Sequence, residues 1–163
     1  MSCYTPLTVK GFIDELNKWM NTRVKSLPKY GQPFYSQGGW EGWIQVELAM
    51  WLTAKGYDVM REERIYDNKY YRADLVINPN IPNATTIAIE IKCQSIYSNI
   101  NTFLKSATND INKLESLDDS WNAIILCFIA SESAKKRKLG NYRIFTIDTN
   151  NLSCMYTIIK ERL

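Results

Sequence analysis

The sequence predicts an α/β fold, a central mixed sheet flanked by helices, on three observations. Short strand-like runs, near 57–65, 70–77, 87–94 and 122–129, are set off by turn formers, and those ending at Ile77 and beginning at Ile87 are rich in β-branched residues. Two stretches of helical periodicity precede them and a third falls between the last two. The run 122–129 is apolar without interruption, the mark of a central strand covered on both faces. At 163 residues, 45% hydrophobic and 23% charged, the chain is expected to form one domain spanning residues 1–163.

Each element has its own signal. Thr8 caps a helix reaching about Lys25, with Phe12, Leu16, Trp19 and Met20 on one stripe. Residues 26–39 carry Pro28, Gly31, Pro33, Gly38 and Gly39 and read as an ordered loop that offers Tyr30, Phe34 and Tyr35 for packing or contact. A second helix covers about Trp40 to Lys55 and ends at Gly56 as a C′ glycine. Strands at Tyr57–Ile65 and Tyr70–Ile77 make a hairpin around Asp67-Asn68-Lys69, and the loop with Pro79 and Pro82 leads to the strand from Ile87. Ser98 or Asn99 caps a third helix to about Leu117, with Ile100, Phe103, Leu104, Ala107, Ile111 and Leu114 as its buried stripe. Two terminal strands follow, Tyr142–Ile147 and Cys154–Ile159.

Composition excludes several chemistries. There is no histidine, which removes Ser-His-Asp and Cys-His triads and histidine metal sites; for hydrolysis, carboxylates and lysines remain. Cys3, Cys93, Cys127 and Cys154 are scattered without a C-x-x-C pair and no signal peptide precedes them, so a reduced, cytoplasmic setting is expected. The longest apolar run, Ala123–Ala130, is far short of the ~20 residues of a membrane span. A net charge of +3 is compatible with a polyanionic partner without requiring one.

The polar residues on the strands carry the chemistry. Alternation puts Ile87, Ile89 and Ile91 on one face and Ala88, Glu90, Lys92 and Gln94 on the other, while Arg72, Asp74 and Val76 share a face of the preceding strand. If the two strands pair, Asp74 approaches Glu90. Two carboxylates and a lysine on adjacent rigid strands suit metal-assisted phosphodiester hydrolysis: the carboxylates bind a hard cation, and the lysine orients water and offsets phosphate charge. On the second helix Glu47 falls between Trp43, Ile44, Met50 and Trp51, where an unpaired carboxylate is expensive to bury. It is expected to meet either a cation or an arginine such as Arg72. Gln45 points the other way and is left out of the site.

The order Asp74, Glu90-Ile91-Lys92 resembles the motif of the PD-(D/E)XK nuclease superfamily, with Ala73 in place of the motif proline. The resemblance covers roughly Trp40 to Ala130 and implies a restriction-endonuclease-like αβββαβ core, here with an extra N-terminal helix and C-terminal strands. It implies a metal-dependent nuclease in which Asp74, Glu90, the Ile91 carbonyl and Glu47 hold Mg²⁺ or Mn²⁺ and Lys92 completes the catalytic set. Glu41 is the rival to Glu47. Gln94, two places after the lysine, is similar to a glutamine that positions substrate or water in some relatives. Lys135, Lys136, Arg137 and Lys138 form a basic loop able to neutralise phosphates.

DNA is the expected substrate, in a defence, mobile-element or toxin-type endonuclease, with a homodimer or a protein partner compatible with that role. The alternative is a nuclease-fold binding module, such as an immunity protein or an assembly subunit, without catalysis.

Overall fold

The computed structural model describes residues 4–27, 40–95, 98–129, 138–149 and 152–162. Tyr30, Phe34, Tyr35, Lys135, Lys136, Arg137 and Cys3 lie outside them. Among the described residues three α-helices, α1 (Val9–Trp19), α2 (Trp40–Ala54) and α3 (Ile100–Glu115), accompany six strands: β1 (Val59–Glu63), β2 (Ala73–Ile77), β3 (Ile87–Cys93), β4 (Asn122–Ile129), β5 (Phe145–Asp148) and β6 (Ser153–Lys160). A π-helical turn at Met20–Val24 continues α1, so the apolar stripe expected to about Lys25 is present with its last turn widened.

The strands form one mixed sheet in the order β1-β2-β3-β4-β6-β5. β1, β2 and β3 run antiparallel as a meander, β3 and β4 are parallel with α3 as the crossover, and β6 pairs antiparallel with both β4 and β5. All eight residues of β4 are buried, as an interior strand covered on both faces requires.

Alternation on these strands separates two apolar layers. Leu75, Ile77, Ile87, Ile89, Ile91, Ile124, Leu126 and Phe128 face α1 and α2 and meet Phe12, Leu16, Trp19, Ile44, Leu48 and Leu52. Val76, Ala88, Ile125, Cys127 and Ile129 face α3 and meet Phe103, Ala107, Ile111 and Leu114. The aromatic rings of Trp19 and Trp40 both meet Phe128 edge to face, at centroid distances of 6.0 and 6.4 Å.

The ends of the elements are fixed by local hydrogen bonds. Thr8 Oγ1 accepts from the Gly11 amide, and Asn99 caps α3 through the Asn101 amide. Gly56, with φ +85°, ends α2: its amide donates to Thr53 O, and that of Tyr57 to Leu52 O, the paired bonds of a Schellman cap. Asn78 at the end of β2 has φ +60°, a left-handed conformation that Asn tolerates, and its side chain takes the Leu7 amide at 3.0 Å and gives to Leu7 O at 2.8 Å. On α1, buried Glu15 accepts from Lys18 Nζ at 2.7 Å and from Trp51 Nε1 at 3.0 Å, which ties α1 to α2.

Cys93, Cys127 and Cys154 are free thiols. Among the described residues no helix is long and apolar enough to cross a membrane.

Candidate active site

The ladder between β2 and β3 ends at the rung Leu75–Ile89. The next residues are Asp74 and Glu90, and here a side chain takes over from the backbone: Asp74 Oδ2 accepts the Ile91 amide at 2.6 Å. In an extended strand the N–H and C=O of one residue project to the same side. The Ile91 carbonyl therefore faces the same opening between β2 and β3 as Asp74. The other oxygen, Asp74 Oδ1, accepts from Gln45 Nε2 at 2.7 Å, and Arg61 Nη2 donates to Gln45 Oε1 at 3.2 Å.

Glu90, 1% exposed, projects toward α3. Tyr66 Oη donates to its Oε1 at 2.6 Å, and Lys113 Nζ lies 3.2 Å from the same atom. Lys113 also pairs with Asp110, one helical turn earlier, at 2.6 Å. Asp110 in turn holds Lys92 Nζ at 3.0 Å, and Glu41, at the start of α2, stands 3.4 Å from that ammonium. The result is a continuous line from Glu41 through Lys92, Asp110 and Lys113 to Glu90 and Tyr66. It crosses from the start of α2 to the inner face of α3.

Burial and like charge govern the protonation of this cluster. Asp74, 9% exposed, has its carboxyl pushed up to about 8 by burial first and by the Glu90 charge second, against the opposing Ile91 amide. Burial also raises Glu90, which the Tyr66 hydroxyl and Lys113 resist. Burial alone would favour loss of the Lys92 proton, but Glu41 and Asp110 more than offset it and hold the ammonium above its ordinary pKa. Lys113 is raised in the same way, by Asp110 and Glu90 against burial. The Tyr66 phenol is raised by burial and by Glu90, so it is a hydrogen-bond donor and not a phenolate.

Four acids, Glu41, Asp74, Glu90 and Asp110, thus gather around two lysines, Lys92 and Lys113, so acids outnumber bases in the cluster. Arg61 reaches the cluster only through the neutral Gln45 amide. Among the described residues no three carboxylates or thiolates converge tightly enough to hold a metal by themselves.

The expected residues divide clearly. Asp74, Glu90, Ile91 and Lys92 come together as anticipated. Glu47 does not join them: it accepts from Arg23 Nη2 at 3.0 Å, at the surface, with its side chain 19% exposed. The expectation that it completes a metal site is therefore corrected, and the arginine that meets it is Arg23, not Arg72. The reason is the register of α2, whose buried face carries Trp40, Ile44, Gln45, Leu48 and Leu52. Gln45, left out on the sequence, is the residue that touches Asp74, and Glu41, one turn earlier, is the acid near Lys92.

Gln94 is 4% exposed, and its backbone amide extends the β3–β4 pairing to Phe128 O at 2.8 Å. Lys138 is exposed beside Asn141 and Tyr142, in a separate small cavity. Tyr66, Asp110 and Lys113 were missed. The signal existed for Asp110, which interrupts the stripe Phe103, Ala107, Ile111, Leu114 as a charged residue at a buried helical position. Comparison with protein-family models, with curated proteins and with solved structures finds no match to this chain.

Proposed function

We propose that the protein is a cytoplasmic, Mg²⁺- or Mn²⁺-dependent nuclease of the PD-(D/E)XK type that hydrolyses phosphodiester bonds, in DNA by preference. One observation supports the reading: two buried acids on adjacent strands, in a cluster whose acids outnumber its lysines, beside an ammonium held in place by acids on two different elements. That donor set fits a hard divalent cation, which prefers oxygen ligands. Asp74, Glu90 and the Ile91 carbonyl would hold it. When bound, such an ion supplies Lewis-acid polarisation of the phosphate and lowers the pKa of water.

The chain's own residues supply orientation and charge. Lys92, protonated and fixed between Glu41 and Asp110, does not act as a general base. It donates hydrogen bonds that hold an attacking water in line and offset charge on the phosphate. Gln45 fixes the Asp74 carboxylate from the α2 side, and Tyr66 and Lys113 fix that of Glu90 from the α3 side.

The test is incubation of supercoiled plasmid, linear duplex and single strands with Mg²⁺, with Mn²⁺ and with EDTA, using the wild type, Asp74→Asn and Glu90→Gln. Metal-dependent cutting by the wild type and loss in both variants is the expected result; undiminished cutting by either variant would overturn the assignment. Asn at position 74 is preferable to Ala, because Ala removes the acceptor of the buried Ile91 amide and mixes damage to the fold with loss of chemistry.

The closed ion-pair line supports a second reading. Lys92 and Lys113 are already satisfied by acids of the same chain, as in a binding module of nuclease-like architecture that performs no chemistry. That reading predicts no cutting of any substrate and no heat of Mg²⁺ or Mn²⁺ binding by calorimetry.

A further inference from the structure

Beside the carboxylates, on the α3 side, lies a cavity of about 670 Å³ lined by Tyr71, Ser106, Asn109, Asp110, Asn112, Lys113 and Ser116. Lys113 is its link to the candidate active site, since the ammonium that borders the cavity also touches Glu90 at 3.2 Å. Its opposite border is aromatic. Tyr71 keeps 45% of its surface exposed, meets Tyr66 edge to face at 6.3 Å, and has Lys113 Nζ 5.6 Å from its ring centroid. The ring is presented by a fixed turn: the Tyr71 amide donates to Asn68 O at 2.9 Å, and the Asn68 side chain accepts from the Tyr70 amide at 3.0 Å.

The remaining lining is chemically narrow. Asn109, Asn112, Ser106 and Ser116 are neutral groups with both donors and acceptors, set along the face of α3 that borders the cavity. An apolar ligand has little to match there, and a compact anion would meet Asp110. A flat heteroaromatic ring with polar edges matches both borders, its face on Tyr71 and its edge on the amides and hydroxyls.

We propose that this cavity is a nucleobase subsite, which takes an unstacked base of a single-stranded or locally opened nucleic acid next to the scissile phosphate. A stacked duplex offers phosphates and base edges to a protein surface but no free base face, so an accessible tyrosine selects strands whose bases are splayed. The proposal rests on the nuclease reading for the word scissile only. The base subsite itself is testable without cleavage.

The experiment measures binding by fluorescence anisotropy in EDTA, with end-labelled single-stranded DNA, the same sequence as RNA, an abasic strand of equal length, and a duplex. The proteins are wild type, Tyr71→Ala, Tyr71→Phe and Tyr70→Ala; Tyr70, 80% exposed, does not line the cavity. Wild type is expected to bind the base-bearing single strand more tightly than the abasic strand or the duplex. Tyr71→Ala is expected to weaken that binding by roughly 5- to 100-fold, with Tyr71→Phe and Tyr70→Ala close to wild type and no effect of Tyr71→Ala on the abasic strand. Preference for the DNA or the RNA strand identifies the source of the base, and either supports the subsite.

Equal affinity of the wild type for base-bearing and abasic strands, or unchanged binding in Tyr71→Ala, overturns the proposal. The two readings fail separately. Base-dependent binding by a protein that never cuts removes the nuclease and keeps the subsite, whereas metal-dependent cutting with base-independent binding does the reverse.

Discussion

Glu15 on α1 and the Asp74–Glu90 pair on the sheet are both buried acids, and the fold treats them in opposite ways. Burial pushes Glu15 up as well, but the hydrogen bonds from Lys18 and Trp51 outweigh it and hold the carboxyl below its usual range. Its charge is matched by partners from its own helix and from α2. Asp74 and Glu90 also accept hydrogen bonds, yet both are raised, by burial first and then by a neighbouring acid, Glu90 for Asp74 and Asp110 for Glu90. The first acid joins two helices, and the second pair stands in a cluster where acids outnumber lysines. The contrast is between a buried acid held below its usual range and two held above it.

The largest expected effect that sharpens this contrast is on chemistry. Asp74→Asn and Glu90→Gln should lower metal-dependent cleavage by roughly 10²-fold or more, while Glu15→Gln, remote from the cluster, should leave it within a few-fold. Cleavage assays on the three variants decide it, and equal losses would erase the distinction.

Next is the effect of the cation on stability. Mg²⁺ at about 100 times its dissociation constant should stabilise the wild type by about 2.7 kcal/mol, visible as a rise of several degrees in Tm. Glu15→Gln should keep that rise and Asp74→Asn should lose most of it. A Tm rise of wild-type size in Asp74→Asn would place the cation elsewhere.

The pH dependence should differ in sign. Asp74 is raised from an ordinary 3.8 to about 8, so without a divalent cation its contribution favours folding below about pH 4 and is lost as pH rises through 8. Glu15 is lowered, so its contribution is present above about pH 4.5 and is lost as pH falls through its folded value. In EDTA near pH 8, Asp74→Asn should therefore stabilise the protein, by roughly 1 to 3 kcal/mol, and Glu15→Ala should destabilise it by a similar amount. Urea melts of both variants at pH 5 and pH 8 give the two signs. Matching signs would contradict the electrostatics described above.

The smallest effect concerns the acid outside both sites. Glu47, half-buried, pairs at the surface with exposed Arg23, and Glu47→Ala should cost about 0 to 1 kcal/mol and leave cleavage unchanged. A large loss of cleavage would return Glu47 to the catalytic set.

The sheet was legible because period-2 alternation holds from Leu75 to Ile77 and from Ile87 to Ile91, and the pairing of these stretches sets Asp74 next to the Glu90–Ile91 peptide. The helices were harder. In α2 apolar residues surround the axis, as in Trp40, Trp43, Ile44, Val46, Leu48, Met50, Trp51 and Leu52, so a 3.6-residue period does not select one face and Glu47 looks buried. Met50 is in fact 62% exposed, and the face that packs carries Glu41, Gln45, Leu48 and Leu52 at spacings of four, three and four. Tyr66 and Lys113 enter through tertiary contacts between the β1–β2 loop and α3, which no local pattern encodes. Asp110 was legible in principle as the one charged residue in the α3 stripe.

Asn78 has a consequence for how the chain assembles. Its amide group meets both hydrogen-bonding groups of Leu7 and also donates to Thr85 O at 3.0 Å, so one side chain splices residues 71 apart in sequence to the loop between β2 and β3. The acceptor and donors for Leu7 exist in that arrangement only once the β2–β3 loop has closed. The N-terminal segment is therefore expected to dock after the meander has formed. In native-state hydrogen exchange the Leu7 amide should open with a smaller free energy than the amides of β3, and equal protection of the two would show that the segment and the sheet form as a single cooperative unit.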